Sequence, residues 1–136
     1  MRALHLIDSI TEITAAMAGA VIVSGSHGGR SAASFALGIR PAPHAVFFND
    51  AGVGKEGAGI VVLHGLEQAG IVAVTYSHNS ARIGDAVDGF ECGVVSAVNA
   101  AATAAGLEAG QTVAEAVALI RRDSAGDGGR NDRCSG

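Results

Sequence analysis

Two serine-histidine pairs, Ser26-His27 and Ser77-His78, each stand directly behind a short apolar run. Imidazole is the side chain whose ordinary pKa lies nearest neutrality, so His27 and His78 are candidate general acids and bases. A third apolar run ends in Asn49-Asp50. The Asp50 carboxylate could orient an imidazole or act as a second base, and the Asn49 amide could donate to a carbonyl oxygen. The same two residues could equally begin an Asx turn. Arg82 offers a two-pronged fork for a carboxylate. Gly28 and Gly29, ahead of a helix, could present backbone N–H groups to an anion or oxyanion, or could simply make a tight turn. Ser26, Ser77 and Ser80 add hydroxyls for a polar substrate. A serine nucleophile is conceivable, but neighbours on extended chain point opposite ways, so His27 does not readily serve Ser26. Arg82 and Asp85 could also be a local ion pair, with Asp85 capping the next helix.

These residues need elements that bring them together. Residues 20–24, 45–49 and 71–76 are apolar on consecutive positions, the mark of strands covered on both faces. Residues 31–38 and 57–70 have helical spacing, the second closing at Gly70. That alternation predicts parallel strands joined by crossover helices. Residues 3–7 could add a strand. Asp8 or Ser9 caps a predicted helix over 9–18, and further helices are predicted over 88–105, ending at Gly106, and over 112–122. The expected fold is an α/β three-layer sandwich around a small, mainly parallel sheet of three to four strands. It forms one domain over residues 1–123, followed by a disordered tail over 124–136. In such sheets ligands bind beyond the carboxyl ends of the strands, where residues 24–30, 49–55 and 77–85 all fall.

Composition narrows the function. The 136 residues are 49% hydrophobic and 16% charged, which excludes a disordered chain. Alanine supplies 27 residues and glycine 20, so elements must pack through small side chains; such helices also suit a subunit interface, and a homo-oligomer is expected. The net charge of −4 carries no basic footprint for nucleic acid. No apolar run approaches the roughly 20 residues that span a bilayer, so no membrane association and a cytoplasmic setting are expected. Gly52-Val53-Gly54-Lys55 suggests a phosphate loop, but Asn49 stands where its first glycine belongs and Glu56 where its hydroxyl belongs. No dinucleotide fingerprint, metal-ligand spacing or cofactor motif is present, and none of these groups is expected. Of the two cysteines, Cys92 reads as a small buried apolar residue and Cys134 as a tail residue, with no disulfide framework.

Residues 21–28, a strand ending in His27-Gly28, and residues 46–52, running into Asn49-Asp50-Ala51-Gly52, resemble two successive strands of caspase-like cysteine hydrolases. The resemblance covers residues 20–52 and implies a three-layer α/β architecture in which His27 is retained. Asp50, Ala51 and Gly52 replace the nucleophilic cysteine, so thiol peptidase activity is not implied. The leading expectation is a small-molecule enzyme using His27, His78 and Asp50 for acid-base chemistry on a polar, carboxylate- or amide-bearing metabolite, foremost as a hydrolase. Isomerisation or elimination would use the same groups. A noncatalytic ligand-binding or subunit protein is the alternative.

Overall fold

A strand with helices on both sides needs apolar residues at every position, and the runs that meet this condition form the centre of one sheet. A computed structural model describes residues 3–28, 30–38, 42–50 and 61–121, with the side chains of residues 27, 30, 31, 33 and 61 outside that description. Five strands lie side by side in chain order: β1 (Leu4–Ile7), β2 (Val21–His27), β3 (Ala45–Asn49), β4 (Val72–Tyr76) and β5 (Val95–Val98). The first four are parallel, and β5 runs antiparallel to β4. Every residue of β3 and β4 is buried, as their unbroken apolar runs require.

Side chains alternate between two cores. On one face Ile22, Val46, Phe48 and Ala73 pack with α1 (Arg30–Leu37) and α2 (Val61–Glu67) through Ala32, Ala36, Val62, Leu63 and Leu66. On the other, Val21, Val23, Phe47, Val74 and Tyr76 meet α4 (Ala100–Ala104) and α5 (Val113–Arg121) through Ala102, Val113, Ala116, Val117 and Ile120. Alanine at Ala32, Ala36, Ala102 and Ala116 lets these short helices lie close to the sheet. The three-layer α/β sandwich is therefore present. Among the described residues no helix is long and apolar enough to cross a membrane.

Two predicted elements differ. The sheet has five strands, not three to four, because residues 88–105 are not one helix. They comprise most of α3 (Ala86–Cys92), then β5, then α4. Val94, Val95, Val98 and Ala101 fit a helical stripe, but Gly93 turns extended at φ −63°, ψ 143° and ends α3, and Asn99 restarts a helix. The predicted helix over 9–18 is two 3-10 turns, Ile10–Glu12 and Ala15–Met17, separated by extended Ile13 and Thr14. Ser9 caps the first in a reciprocal capping box with Glu12. Gly70 and Gly106 adopt φ of +76° and +95°, the left-handed turns that end the helices before them. The predicted tail, residues 124–136, lies outside the described residues.

Asn99 joins the far edge of the sheet to its helices. Its Oδ1 accepts from the Ala73 and Ala102 N–H groups at 3.2 and 2.9 Å, and its Nδ2 donates to the Ile71 and Leu63 carbonyls at 3.0 and 3.3 Å. One buried amide thus caps α4 and satisfies backbone groups beside β4 and in α2. Asn99→Ala is expected to destabilise the fold by about 3 kcal/mol, because it leaves several buried groups unpaired. A lower urea midpoint at unchanged m-value would register this, whereas an unchanged midpoint would contradict it.

Candidate functional site

After β4 the chain turns back over the sheet, because α3 packs against β1 and β2. Residues 77–85 make this crossing past the carboxyl ends of β3 and β2, where ladder partners are scarce and backbone polar groups need others. The crossing is fastened at each strand it passes. The His78 backbone N–H donates to Asp50 Oδ1 at 3.1 Å, just beyond β3. Asn49 Nδ2, at the end of β3, donates to the Ala81 carbonyl at 3.1 Å. The Gly84 N–H donates to the Gly25 carbonyl in β2 at 2.6 Å. Asp8, just past β1, accepts the Ala86 N–H on Oδ1 at 2.9 Å. Gly25 must be glycine at this approach, since a Cβ there would stand 2.5 Å from the Asp85 nitrogen and 2.6 Å from the Asp8 carbonyl oxygen.

β2 widens as it reaches the crossing. Val23 pairs with Phe47 and His27 with Asn49, so three residues of β2 stand opposite one of β3. Such a bulge takes backbone groups out of the ladder. The Ser24 carbonyl accepts instead from the Tyr76 hydroxyl at 2.7 Å, reached from β4 across β3. Gly89 makes room for that phenol: a Cβ there would lie 2.6 Å from the Tyr76 oxygen. Burial, reinforced by the carboxylates of Asp85, Asp88 and Asp8, holds the Tyr76 phenol far above the ordinary tyrosine range.

His78 and Asp50 form the pair with chemical potential. His78 Nδ1 lies 3.3 Å from Asp50 Oδ1; the imidazole side chain is 46% exposed and the carboxylate side chain 6%. A carboxylate facing Nδ1 favours the ring form that carries its proton there, leaving the lone pair on Nε2. A buried anion thus orients a solvent-reachable base, the arrangement that general acid-base work needs.

The other predicted site residues divide. His27 closes β2 at the register position opposite Asn49, and its side chain lies outside the described residues. Gly29 and residues 51–60, with the glycine-lysine stretch, also lie outside them. The Gly28 N–H donates to the Asn49 carbonyl at 3.1 Å, so it extends the ladder and is not a free anion donor. Asn49 is fully buried and faces the crossing. Ser26 Oγ accepts the Ile10 N–H at 2.9 Å, fixing the first 3-10 turn. Ser77 Oγ accepts the Asn79 N–H, while Ser80 Oγ donates to the Ser77 carbonyl and accepts the Val94 N–H, so both shape the turn after β4. Asp85 caps α3 by accepting the Asp88 N–H at 3.0 Å. Arg82 is exposed, and its backbone N–H donates to Asp88 Oδ2 at 2.8 Å, where the sequence suggests an ion pair with Asp85. Cys92 is half-buried and disulfide-bonded, not a small apolar filler, so the cytoplasmic setting finds no support there.

Sequence reasoning misses Tyr76 and Asp88, and it offers Asp8 only as a helix cap, a role that Ser9 fills while Asp8 accepts the Ala86 N–H. Asp8 follows the predicted strand 3–7, and that position, a carboxylate behind an apolar run as at Asp50, is the signal that could have found its part in the crossing. Among the described residues no group of three or more His, Cys, Asp or Glu side chains could hold a metal ion. No protein-family model matches the chain, and neither the curated proteins nor the solved structures yield a match.

The Tyr76 environment has a pH signature. Because the folded phenol holds its proton more tightly than the unfolded one, stability is full below the ordinary tyrosine pKa of about 10 and falls as pH rises above it. Tyr76→Phe is expected to cost about 1–2 kcal/mol at neutral pH through the orphaned Ser24 carbonyl. The gap to the wild type should narrow by about 1 kcal/mol between pH 9 and 11. Urea titrations of both proteins across that range check this; a gap independent of pH would refute it.

Proposed function

We propose that this chain is a small-molecule enzyme that carries out acid-base chemistry on a polar, carboxylate- or amide-bearing metabolite, foremost the hydrolysis of an amide or similar bond. The observation that carries the reading is His78 Nδ1 at 3.3 Å from Asp50 Oδ1, an exposed ring on a buried carboxylate where β3 and β4 end. In this reading Nε2 of His78 takes a proton from water as the oxygen attacks the carbonyl carbon, and Asp50 stabilises the imidazolium. The tetrahedral intermediate collapses as His78 returns the proton to the departing nitrogen, which leaves as amine beside the new carboxylic acid. His27, at the neighbouring strand end, is the second proton carrier. Arg82, exposed and without an ion-pair partner among the described residues, binds a substrate carboxylate. Isomerisation or elimination beside a carboxylate would use the same base. β1 stands at the end of the strand order and pairs with β2 alone among the described residues, and Leu6 on it is 37% exposed, which supports the expectation of a homo-oligomer.

One observation favours a noncatalytic reading. Asp50 Oδ1 also accepts the His78 backbone N–H at 3.1 Å, so the carboxylate could serve as a tether for the crossing alone, within a ligand-binding protein. The two readings separate in a panel of small acyl amides and amino-acid amides, followed by NMR for release of the amine or ammonia. On any substrate turned over, His78→Ala and His27→Ala are each expected to lose at least ~100-fold in rate with folding intact. Asp50→Asn, which mispairs the ring, is expected to lose at least ~100-fold as well. Undiminished turnover in His78→Ala would sink the catalytic reading.

A further inference from the structure

We infer that Asn49 is a positioning residue for His78: it fixes, through the Ala81 carbonyl, the turn that sets the imidazole against Asp50. The inference rests on the His78–Asp50 reading above and adds to it the part that holds the ring in place.

Asn49 and Asp50 are consecutive, and both grip the crossing segment. Asp50 Oδ1 takes the His78 backbone N–H at 3.1 Å, and Asn49 Nδ2 reaches the Ala81 carbonyl, three residues further on, at 3.1 Å. His78 is thus bracketed by two anchors from one strand end. That end is itself tied into the sheet, since the Asp50 N–H donates to the Tyr76 carbonyl at 2.8 Å and the Asn49 carbonyl accepts the Gly28 N–H at 3.1 Å. Asn49 is fully buried, so its donor geometry is set by packing and not by solvent.

The turn between the anchors is stiff enough to transmit the hold. The Ser80 N–H donates to the Ser77 carbonyl at 3.0 Å, and Ser80 Oγ donates to the same oxygen at 2.7 Å. Asn79 N–H is held by Ser77 Oγ at 3.1 Å. Residues 77–81 therefore move as one piece, and releasing Ala81 from β3 lets the whole turn shift relative to Asp50. A shift of half an ångström at a 3.3 Å contact is enough to break the Nδ1 hydrogen bond. Val94 holds the same turn from its other side, its carbonyl accepting the Ser77 N–H at 2.8 Å and its N–H donating to Ser80 Oγ at 2.9 Å. Without Asn49 the turn therefore keeps its hold on Val94 and loses register with the end of β3. Gly84 to Gly25 and Ala86 to Asp8 lie beyond the turn and hold α3 in either case. A purely structural asparagine would change stability alone; a positioning one changes the state of the His78 ring.

The test needs no substrate. Long-range proton–nitrogen NMR of the ¹⁵N-labelled full chain, at a pH where the imidazole is neutral, reads which ring nitrogen of His78 carries the proton. In wild type the Nδ1–H form should predominate. In Asn49→Leu, similar in volume but without the donor, the population should move toward the Nε2–H form that free imidazoles prefer. Exchange of the His78 amide should also speed up at least ~10-fold relative to that of Ala116 in α5. If Asn49→Leu does not fold, Asn49→Ser, too short to reach Ala81, is measured in its place. A variant that melts earlier but keeps the wild-type tautomer and the wild-type exchange ratio overturns the positioning role and leaves the pair itself standing. A wild type whose His78 already shows the free-solution mixture overturns the pair, and this inference with it.

Discussion

Backbone that passes over the end of a parallel sheet has no strand to pair with, yet near a packed interior its polar groups cannot be left bare. An unsatisfied buried N–H or carbonyl costs about 1–3 kcal/mol, comparable to burying a whole aliphatic side chain. Residues 77–85 face this constraint because the four parallel strands lie in chain order, so the chain leaving β4 must travel back over its predecessors to place α3 on β1 and β2. The answer is a donor or acceptor at each strand end: Asp8 after β1, the Gly25 carbonyl in β2, and Asn49 with Asp50 at β3. Polar residues at strand ends are therefore required by the path of the chain before any chemistry is considered.

The same constraint explains residues that look unremarkable alone. Gly89 costs helix stability in the middle of α3, roughly 1 kcal/mol relative to alanine, but the Tyr76 phenol occupies the space that a methyl would fill. Tyr76 in turn satisfies the Ser24 carbonyl that the bulge in β2 takes out of the ladder. The bulge lets β2 reach Asn49 again at His27, so the strand end carrying one candidate histidine is aligned with the strand end beside the other. Bulge, phenol and helical glycine form one arrangement: the bulge frees the Ser24 carbonyl, the phenol satisfies it, and Gly89 leaves room for the phenol.

The sequence showed the centre of the fold because burial on both faces leaves an unambiguous trace: 45–49 and 71–76 are apolar without interruption and agree with β3 and β4 to within a residue. It was least legible where one pattern serves two elements. Val94, Val95 and Val98 suit a helix stripe as well as a short strand against β4, and the deciding features, extended Gly93 and the four bonds of Asn99, depend on residues distant in the chain. The candidate site shows the same limit. His78 and Asp50 were legible from residue type and position behind apolar runs. That Ser26, Ser80 and Gly28 spend hydrogen bonds on turns and ladder was not, because their partners, Ile10, Val94 and Asn49, lie 14 to 21 positions away.

This division of labour bears on how a proton carrier can work on such a segment. A base must be held within a few tenths of an ångström of its orienting group, yet loops over strand ends are among the easier parts of a fold to open. Apolar packing resists that poorly here, since residues 78, 79 and 82–84 are exposed. Directional bonds from a rigid strand resist it better, because each fixes angle as well as distance. On the proposed reading the anchors that satisfy the backbone also supply the precision: Asp50 pairs with the ring and the amide of the same residue, while Asn49 holds the turn three residues on. On that reading, replacing either by an apolar residue would trade orientation for bulk at the buried end of an otherwise hydrophobic strand.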